Sequence, residues 1–306
     1  MSSQPHRTKH FLSALSQIAP AYSHHVSALA TDEPGLFSEF AEPMLEWAEL
    51  SIGENYLEKL IDGYVFFVTE VNTAQIRYEK TGKYQFQNFN EVFDIAYGDD
   101  EFMDEYHWGV FTSTFAWQHH LYLARMFRDK FLAKLAPDAS ILDLGAGSGI
   151  YNLFALHHCP KAIATAVDIS PKSTQESRNT AQQLNFGDRT THVCADAMTW
   201  QADIPFDAAI SCFVLEHLES PELLLSNLRK NVKPHGYVYI TTALTASEVD
   251  HIFEFRRESE VVQMCESAGF RVIEYQSLAP ESVPEDRYFL PRSIGLLLQV
   301  RKGLLW

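Results

Sequence analysis

The amino-acid sequence predicts an α/β fold: a seven-stranded, mostly parallel sheet with helices on both faces, preceded by an α-helical lid domain. From residue 139 onward, short apolar runs alternate with helical patterns, which is typical of parallel strands covered by helices. Before that point, apolar residues recur at spacings that fit helices better than strands. We therefore expect a helical domain over residues 1–112 and a ligand-binding domain over residues 113–306.

The N-terminal part is predicted as a series of helices. A short helix is expected over Phe11–Ile18, and helices between Leu36 and Ile61 are punctuated by Gly53 and Gly63. The segment Thr112–Leu135 is predicted as one long helix that leads into the sheet.

Residues 64–135 hold a large share of the aromatic side chains. One interpretation is core packing of a helical domain; the other is that several rings line a pocket over the ligand, where each attracts a cation by about 0.5–2 kcal/mol. The rings are Tyr64, Phe66, Phe67, Tyr84, Phe86, Phe89, Phe93, Tyr97, Phe102, Tyr106, Trp108, Phe111, Phe115 and Trp117.

The sheet is expected to contain five strands in βα alternation and two closing strands. The strands are Ser140–Leu144, Ala162–Val167, Thr191–Cys194, Phe206–Ser211, Tyr237–Thr242, Phe270–Tyr275 and Leu296–Val300. The helices between them are Ile150–His157, Gln175–Leu184, Pro221–Val232 and Glu258–Ala268.

Three glycines at alternate positions follow the first strand: Gly145, Gly147 and Gly149. Since glycine has no Cβ, a ligand can lie against bare backbone there. The helix that starts at Ile150 offers unpaired N–H groups to an anionic or polar ligand. The dinucleotide fingerprint G-x-G-x-x-G places its third glycine one residue later, which disfavours a nicotinamide enzyme.

The G-x-G-x-G spacing, with Asp143 two residues before it, resembles motif I of the class I S-adenosyl-L-methionine (SAM) methyltransferases, which have a Rossmann-like sheet. The resemblance implies that SAM is the cofactor. It also implies that the amino-acid end of SAM packs against Asp143, Gly145, Ala146, Gly147 and Gly149.

Acidic residues follow the next two strands. Asp168 ends the second strand and is followed by Ile169; an acid at this place can accept both ribose hydroxyls, at about 1.5–3 kcal/mol per bond. By resemblance to the same family, Asp196 would accept from the adenine amine and the N–H of Ala197 would meet a ring nitrogen.

Residues 206–218, which end in Glu216-His217-Leu218, resemble motif IV of small-molecule methyltransferases and place Ser211 and Phe213 at the cofactor. Nucleobase amino-methyltransferases carry Asn/Asp-Pro-Pro-aromatic after this strand, whereas this chain reads Ser-Cys-Phe-Val. With the turn at Lys233–Tyr237 and the stretch Asp250–Phe255, the resemblance covers about residues 113–306.

The segment from Tyr106-His107-Trp108-Gly109 to Trp117-Gln118-His119 resembles the lid of azetidine-2-carboxylate synthases. Those enzymes bind SAM, and its α-amine attacks its own Cγ, which releases methylthioadenosine. Methyl transfer to a small molecule in secondary metabolism, this intramolecular cyclisation, and a non-catalytic SAM-binding regulatory module therefore remain as hypotheses.

The catalytic candidates are His217, Tyr106 and Trp108. His217 is the nearest candidate base, although a structural histidine beside a helix start is the alternative. The histidines of the aromatic block that can face the acceptor instead are His107, His119 and His120. His119 and His120 are adjacent, so a helix would not aim both at one metal ion, and no metal is expected.

The net charge of −16 disfavours a nucleic-acid partner and is compatible with a cationic ligand. The four cysteines form no C-x-x-C pair, which favours a reducing compartment. No apolar run reaches the roughly 20 residues of a membrane span, and no signal peptide is recognised. The expected location is cytoplasmic.

Overall fold

The computed structural model describes residues 6–92, 100–280 and 288–302. The N-terminal part is helical, as expected. Its helices are α1 (His6–Ile18), α2 (Pro20–Asp32), α3 (Pro34–Ile52), α4 (Tyr56–Thr81), α5 (Phe89–Val92), α6 (Asp100–Ala116) and α7 (Gln118–Met126). Phe93 and Tyr97 of the aromatic block lie outside the described residues.

The long helix expected over Thr112–Leu135 is broken at Trp117. The backbone of Trp117 is extended, with φ −102° and ψ 125°, and separates α6 from α7. This conformation places the indole 5.2 Å from the ring of Phe67 and stacks it on His119. A π-helical turn (Phe127–Phe131) and a 3₁₀ turn (Leu132–Lys134) follow α7.

Gly53 ends α3 with φ +92°, as expected, but Gly63 lies inside α4 rather than between two helices. Its role is to allow a close helix crossing. A Cβ on Gly63 would come 2.9 Å from the carbonyl oxygen of Glu105, and a Cβ on Gly109 would overlap Phe67. The two glycines therefore let α4 and α6 pack backbone to backbone.

The sheet has seven strands in the order β3-β2-β1-β4-β5-β7-β6. Strands β1 to β5 pair in parallel, and β7 is antiparallel to both of its neighbours. The prediction of a mostly parallel seven-stranded sheet is confirmed. The strands are β1 (Ser140–Leu144), β2 (Ile163–Asp168), β3 (Thr190–Cys194), β4 (Phe206–Cys212), β5 (Val232–Leu244), β6 (Phe270–Leu278) and β7 (Arg292–Val300).

Helices cover both faces of this sheet: α8 (Ile150–His158), α9 (Pro171–Gln183), α10 (Pro221–Asn231) and α11 (Glu258–Ser267). Successive residues of β1 point to opposite faces, as strand geometry requires. Ile141 joins a core that includes α8 and the N-terminal helices, whereas Leu142 joins a core with α10 and α11.

The N-terminal helices share the first of these cores with the sheet. The ring of Phe154 on α8 lies 5.1 Å from Phe40 and 5.0 Å from Trp47, both on α3. The position expected to divide the chain, between residues 112 and 113, falls within α6. No helix of the described ranges combines the length and the apolar character that a bilayer span needs.

The strand order reverses between β1 and β4, and in open parallel sheets ligands bind beyond the carboxyl ends of the strands at this point. The glycine turn follows β1 directly and the residues of the motif IV resemblance follow β4, so both lie at this edge.

Candidate functional site

A cavity of about 570 Å³ opens at the carboxyl ends of the strands, within the size range of small-molecule sites. The glycine turn and the loops after β2, β3 and β4 form one side, and α4, α6 and α7 form the other. Of the aromatic block, Phe67, Phe89 and Tyr106 lie on its wall, whereas Phe111 and Phe115 are buried in the core. Both interpretations of the aromatic block therefore apply, to different rings.

The glycine turn presents its backbone to this cavity. Gly145, Gly147 and Gly149 all have positive φ, between 51° and 77°, a region that favours glycine. A Cβ on Gly145 would come 2.6 Å from Val214, and one on Gly149 would overlap the hydroxyl of Ser177. A Cβ on Gly147 would meet no atom within 4 Å, because this residue faces the open cavity. Gly145, Ala146 and Gly147 line the cavity and Gly149 does not.

Asp168, at the end of β2, fastens the glycine turn and also lines the cavity. One carboxylate oxygen accepts the N–H of Gly147 at 2.8 Å, and the other accepts the N–H of Ser170 at 2.8 Å. Burial raises the pKa of Asp168, although these two bonds oppose the rise. Each oxygen keeps a further lone pair, so the carboxylate can still accept hydroxyl donors from a ligand.

The expected nucleobase side of the site also lies on the cavity wall. Ile169 is 45% exposed there, which offers an apolar surface to a flat ring. Asp196 and Ala197 line the same region. Asp196 accepts the N–H of Met198 at 2.8 Å, which folds the loop after β3 and leaves lone pairs toward the cavity.

Three of the residues expected at the cofactor do not reach the wall: Asp143, Ser211 and Gly149. Asp143 is buried beneath the turn, and no described donor bonds its carboxyl group. Burial and the charge of Asp168 raise the pKa of Asp143 to about 8. The hydroxyl of Ser211 donates to the carbonyl of Leu144 at 2.8 Å, which joins β4 to β1.

Phe213 lines the cavity and has φ +54°, an uncommon conformation for a bulky residue. Its N–H donates to the carbonyl and to the hydroxyl of Thr241, both at 3.0 Å. Its ring lies 4.9 Å from that of His120. Strained backbone of this kind clusters at functional sites.

The cavity wall also carries a group of buried and half-buried ionisable side chains, called here the acid–histidine cluster: Glu216, His217, Glu248, Asp250 and His251. The hydroxyl of Tyr106 donates to Glu248 at 2.9 Å and lies 3.3 Å from Asp250. Nδ1 of His217 lies 3.2 Å from the backbone oxygen and 3.4 Å from the carboxylate of Asp250.

Charges within the acid–histidine cluster act on one another. Burial lowers the pKa of His217, but Asp250, Glu216 and Glu248 outweigh it, so this pKa is raised. Burial and the neighbouring Asp250 raise the pKa of Glu248 to about 8. Burial and His217 lower the pKa of His251 to about 4. The cluster therefore holds more acidic groups than it can easily ionise together.

The catalytic candidates separate in space. His217 and Tyr106 meet at the acid–histidine cluster, whereas Trp108 packs against Phe111 and is absent from the main cavity wall. His107 and His120 line the cavity, and His119 is buried against Trp117 instead.

Sequence reasoning missed Glu248, Asp250 and His251 as site residues. Their only signal was that Asp250-His251 opened a stretch resembling the methyltransferases. Nothing in the spacing showed that the loop after β5 meets the Glu216-His217 turn after β4.

Residues of the types that bind metal ions do come together, although the sequence analysis expected no metal. Among the described residues, Glu216, His217 and His251 form one such set, and Glu248, Asp250 and His251 form another, with ligand atoms within 4.8 Å. In the first set, both carboxylate oxygens of Glu216 already accept bonds, from the hydroxyl of Thr242 at 2.7 Å and the N–H of Ala243 at 3.0 Å.

Comparisons with known proteins agree with this geometry. Residues 117–275, just over half of the chain, match the family model of a methyltransferase domain. A ubiquinone biosynthesis O-methyltransferase of Coxiella burnetii is 28% identical over 156 residues, which cover 44% of this chain and 64% of that protein. A malonyl-[acyl-carrier protein] O-methyltransferase of Halorhodospira halophila is 32% identical over 126 residues, 39% of this chain and 41% of that protein.

Among solved structures, the [4+2]-cyclase SpnF superposes with a TM-score of 0.50 at 16% identity, covering 60% of this chain and 81% of that one. This likeness concerns the fold. The family match, together with the glycine turn and the seven-stranded sheet, establishes the assignment. The chain belongs to the methyltransferase-domain family, whose cofactor is SAM.

Proposed function

We propose that this chain transfers a methyl group from SAM to a small molecule bound in the same cavity. The observation that carries the proposal is the continuity of the cavity. Residues of the glycine turn, Asp168 and the acid–histidine cluster all line this one cavity. A methyl donor and an acceptor must share such a space, because proximity and alignment supply much of the rate.

The open face of Gly147 is the feature that fits SAM, since any side chain there would fill the space against the turn. Asp168 would accept the ribose hydroxyls, and Asp196 with Ala197 would meet the adenine over the exposed face of Ile169. When bound, SAM supplies an electrophilic methyl group on a sulfonium. The chain's own part is to hold the two ligands in line and to exclude water.

The rest of the cavity wall supports a small acceptor. Phe67, Tyr106 and Phe213 give it aromatic surface, and His120 and His217 give it polar atoms. Among the described lining residues there is no lysine or arginine, the residues that bind nucleic-acid phosphates. This supports a small molecule over a nucleic acid. A place in secondary metabolism and a cytoplasmic location stay predictions.

Cyclisation of SAM itself stays the second candidate, because residues of the N-terminal helices, among them Phe67 and Tyr106, line the same cavity as the expected SAM site. A regulatory module that binds SAM without turnover is the third. All three share the cofactor site and differ in their products.

The test is to measure SAM binding by calorimetry and then to analyse the products by mass spectrometry. We expect SAM to bind, to remain intact alone, and to give S-adenosylhomocysteine and a methylated product with an accepted small molecule. Methylthioadenosine and azetidine-2-carboxylate from SAM alone would establish cyclisation instead. Binding of NAD but not SAM would overturn the proposal.

A further inference from the structure

The break between α6 and α7 brings two polar side chains together on the cavity wall. Ser113 lies on α6 and His120 on α7, and both line the cavity. In one unbroken helix, seven residues would separate their Cα atoms by about 10 Å along the axis. Because the backbone of Trp117 is extended, the side chains meet instead, and Nδ1 of His120 lies 3.2 Å from the hydroxyl oxygen of Ser113. The break therefore holds the imidazole in one orientation.

The hydrogen bonds of Ser113 decide which nitrogen of His120 carries the proton. The hydroxyl of Ser113 lies 2.8 Å from the carbonyl oxygen of Val110, which can only accept, so the hydroxyl donates to it. The hydroxyl oxygen then accepts from His120, and Nδ1 is the nitrogen that donates. Nε2 is left with a lone pair and has no hydrogen-bond partner in the part of the chain that the structure describes.

Aromatic rings pack around this imidazole. The ring of Phe213 lies 4.9 Å from that of His120, and the indole of Trp117 also lies 4.9 Å from it. Both rings are placed by irregular backbone, the positive φ of Phe213 and the extended Trp117. A single nitrogen acceptor among rings fits a ligand that carries one donor on a flat, apolar body.

We propose that the acceptor is a phenol and that Nε2 of His120 takes its hydroxyl proton as the oxygen is methylated. The proposal rests on the proposed function and names its substrate class. The ring of the phenol would pack beside Phe213, since offset and edge-to-face contacts between aromatic rings are favourable. The hydroxyl would donate to Nε2, which makes His120 the residue of the chain that touches the reacting oxygen.

The proton leaves the acceptor in the step in which the oxygen is methylated. A lone pair of the oxygen forms the bond to the methyl carbon, and the electron pair of the broken carbon–sulfur bond stays on sulfur. The oxygen would otherwise become positively charged, so its proton passes to Nε2. The hydroxyl of Ser113 and, through it, the carbonyl of Val110 then stabilise the imidazolium. The products are a methyl ether and S-adenosylhomocysteine.

The weak basicity of His120 favours a hydroxyl over an amine. Burial and the neighbouring His119 lower the pKa of His120 well below its usual value. An ammonium must lose a proton before it has a lone pair, and a weakly basic imidazole is a poor acceptor for that proton. A hydroxyl has lone pairs from the start, and its proton becomes strongly acidic as the bond from oxygen to carbon forms.

The binding test titrates phenol into the chain, with S-adenosylhomocysteine present to fill the cofactor site. Histidine side chains are labelled for NMR, and the Nε2 signal of His120 is assigned by its loss in His120→Asn. We expect phenol to shift this signal saturably, and toluene, which has a methyl group in place of the hydroxyl, to shift it far less. Ser113→Ala removes the partner of Nδ1 and should populate the second tautomer, which the two nitrogen shifts report.

The kinetic test compares phenol with 4-nitrophenol at pH 8, where 4-nitrophenol is largely ionised and needs no base. His120→Asn should methylate phenol about a hundredfold more slowly, because general bases contribute roughly 10²–10⁴ in rate. The same variant should lose far less with 4-nitrophenol, whereas a purely structural defect would slow both reactions alike. His25→Gln, an exposed histidine on α2, is the matched control and should methylate both phenols as the unmodified chain does.

Calorimetric binding of S-adenosylhomocysteine shows that each variant is folded. Absence of that binding in the unmodified chain, or release of methylthioadenosine from SAM alone, would contradict the proposed function rather than the phenol assignment. If the analogue binds but phenol leaves the His120 signal in place, or binds and yields no anisole with SAM, the phenol assignment is overturned. Stronger shifts with cyclohexanol or methylammonium would overturn it in favour of an aliphatic alcohol or an amine. Equal losses of rate with both phenols in His120→Asn would overturn the role of His120 as the base.

Discussion

The backbone N–H of Gly147 donates to the carboxylate of Asp168 at 2.8 Å, which joins the turn after β1 to the end of β2. The two residues are 21 positions apart in the chain, and the strands that precede Gly147 and end at Asp168 are neighbours in the sheet. The bond therefore fixes the separation between two parts of the expected cofactor site: the bare backbone of the turn and the acid beside it.

Replacing Asp168 by alanine should weaken SAM binding by about tenfold or more, because hydrogen bonds to a charged acceptor contribute roughly 1.5–3 kcal/mol each. Calorimetric titration with SAM measures the change. Asp188→Ala, an exposed acid next to β3, is the matched control and should bind SAM as the unmodified chain does. Wild-type affinity in Asp168→Ala would remove the proposed ribose contact.

Gly147→Ala should mainly lower SAM affinity, whereas Gly149→Ala should mainly lower the stability of the fold. A Cβ on Gly147 meets only open cavity, so the alanine should lower SAM affinity by about tenfold or more at a cost to folding of about 1–2 kcal/mol for its positive φ. A Cβ on Gly149 overlaps the hydroxyl of Ser177, so this variant should lose clearly more stability.

Urea unfolding and SAM titration of both variants separate the two effects. Adding Ser177→Ala to Gly149→Ala removes the overlapping oxygen and should restore part of the lost stability. Equal stability losses at the two glycines, or no loss of SAM affinity at Gly147, would contradict the orientation assigned to the turn.

The sheet was predictable because its signal is local. Each strand is a short apolar run with a turn residue after it, and the glycine spacing identifies the first of them. The bounds of strands and helices that the sequence did not predict depend on tertiary contacts. β5 begins at Val232 rather than Tyr237 because Val232 also pairs with β4, at Phe206, before an irregularity that ends at the pair Ala208–Tyr237. Gly63 lies inside a helix because another backbone crosses there.

Only those parts of the candidate site that lie within a single sequence motif could be predicted from the sequence. Asp168 and Asp196 follow strands, and parallel strands bring their carboxyl ends together. The acid–histidine cluster combines the turn after β4 and the loop after β5, and Tyr106 of α6 contacts it. No spacing in the sequence relates these three segments. Trp108 shows the converse: it shares a helix with Tyr106, yet two positions along the helix turn it toward Phe111 and away from the cavity.

Asp143→Asn should stabilise the protein at pH 8 but not at pH 4. Because burial raises the pKa of Asp143 to about 8, the folded state keeps the proton while the unfolded chain releases it near pH 4. The free energy of unfolding contributed by this group therefore falls as pH rises from about 4 to about 8. Asparagine removes this dependence, so its gain in stability over aspartate should be larger at pH 8 than at pH 4, by a few kcal/mol at about 1.4 kcal/mol per unit of pKa difference.

Urea unfolding of both proteins at the two pH values measures the difference. Asp207→Asn is a control for which the opposite change in stability is expected. Burial raises the pKa of Asp207, but the bonds from Lys233 and Ser140 outweigh it and lower this pKa. Its ionised form therefore stabilises the fold above the unfolded pKa, and its asparagine variant should lose stability at pH 8. The same sign for both variants would contradict the assignment at Asp143.

Gly109→Ala should destabilise the protein by about 1–3 kcal/mol, the usual range for overpacking a closely packed site. A Cβ at this position would overlap Phe67 and come 2.5 Å from the carbonyl oxygen of Gly63, so α4 and α6 would have to separate. Gly35→Ala is the matched control. Gly35 lies in the first turn of α3 with no atom within 4 Å of an added Cβ, so alanine there should be neutral or stabilising.

The consequence of Gly109→Ala should extend to the cavity, because Phe67 on α4 and Tyr106 on α6 both line it. SAM affinity should change little, since the glycine turn and Asp168 belong to the sheet. Turnover with an accepted small molecule should fall, since Tyr106 would be displaced from Glu248 and Asp250 on the cavity wall. Urea unfolding, SAM titration and product formation test this separation. An unchanged rate of product formation in a clearly destabilised Gly109→Ala would show that the helix crossing does not position Tyr106.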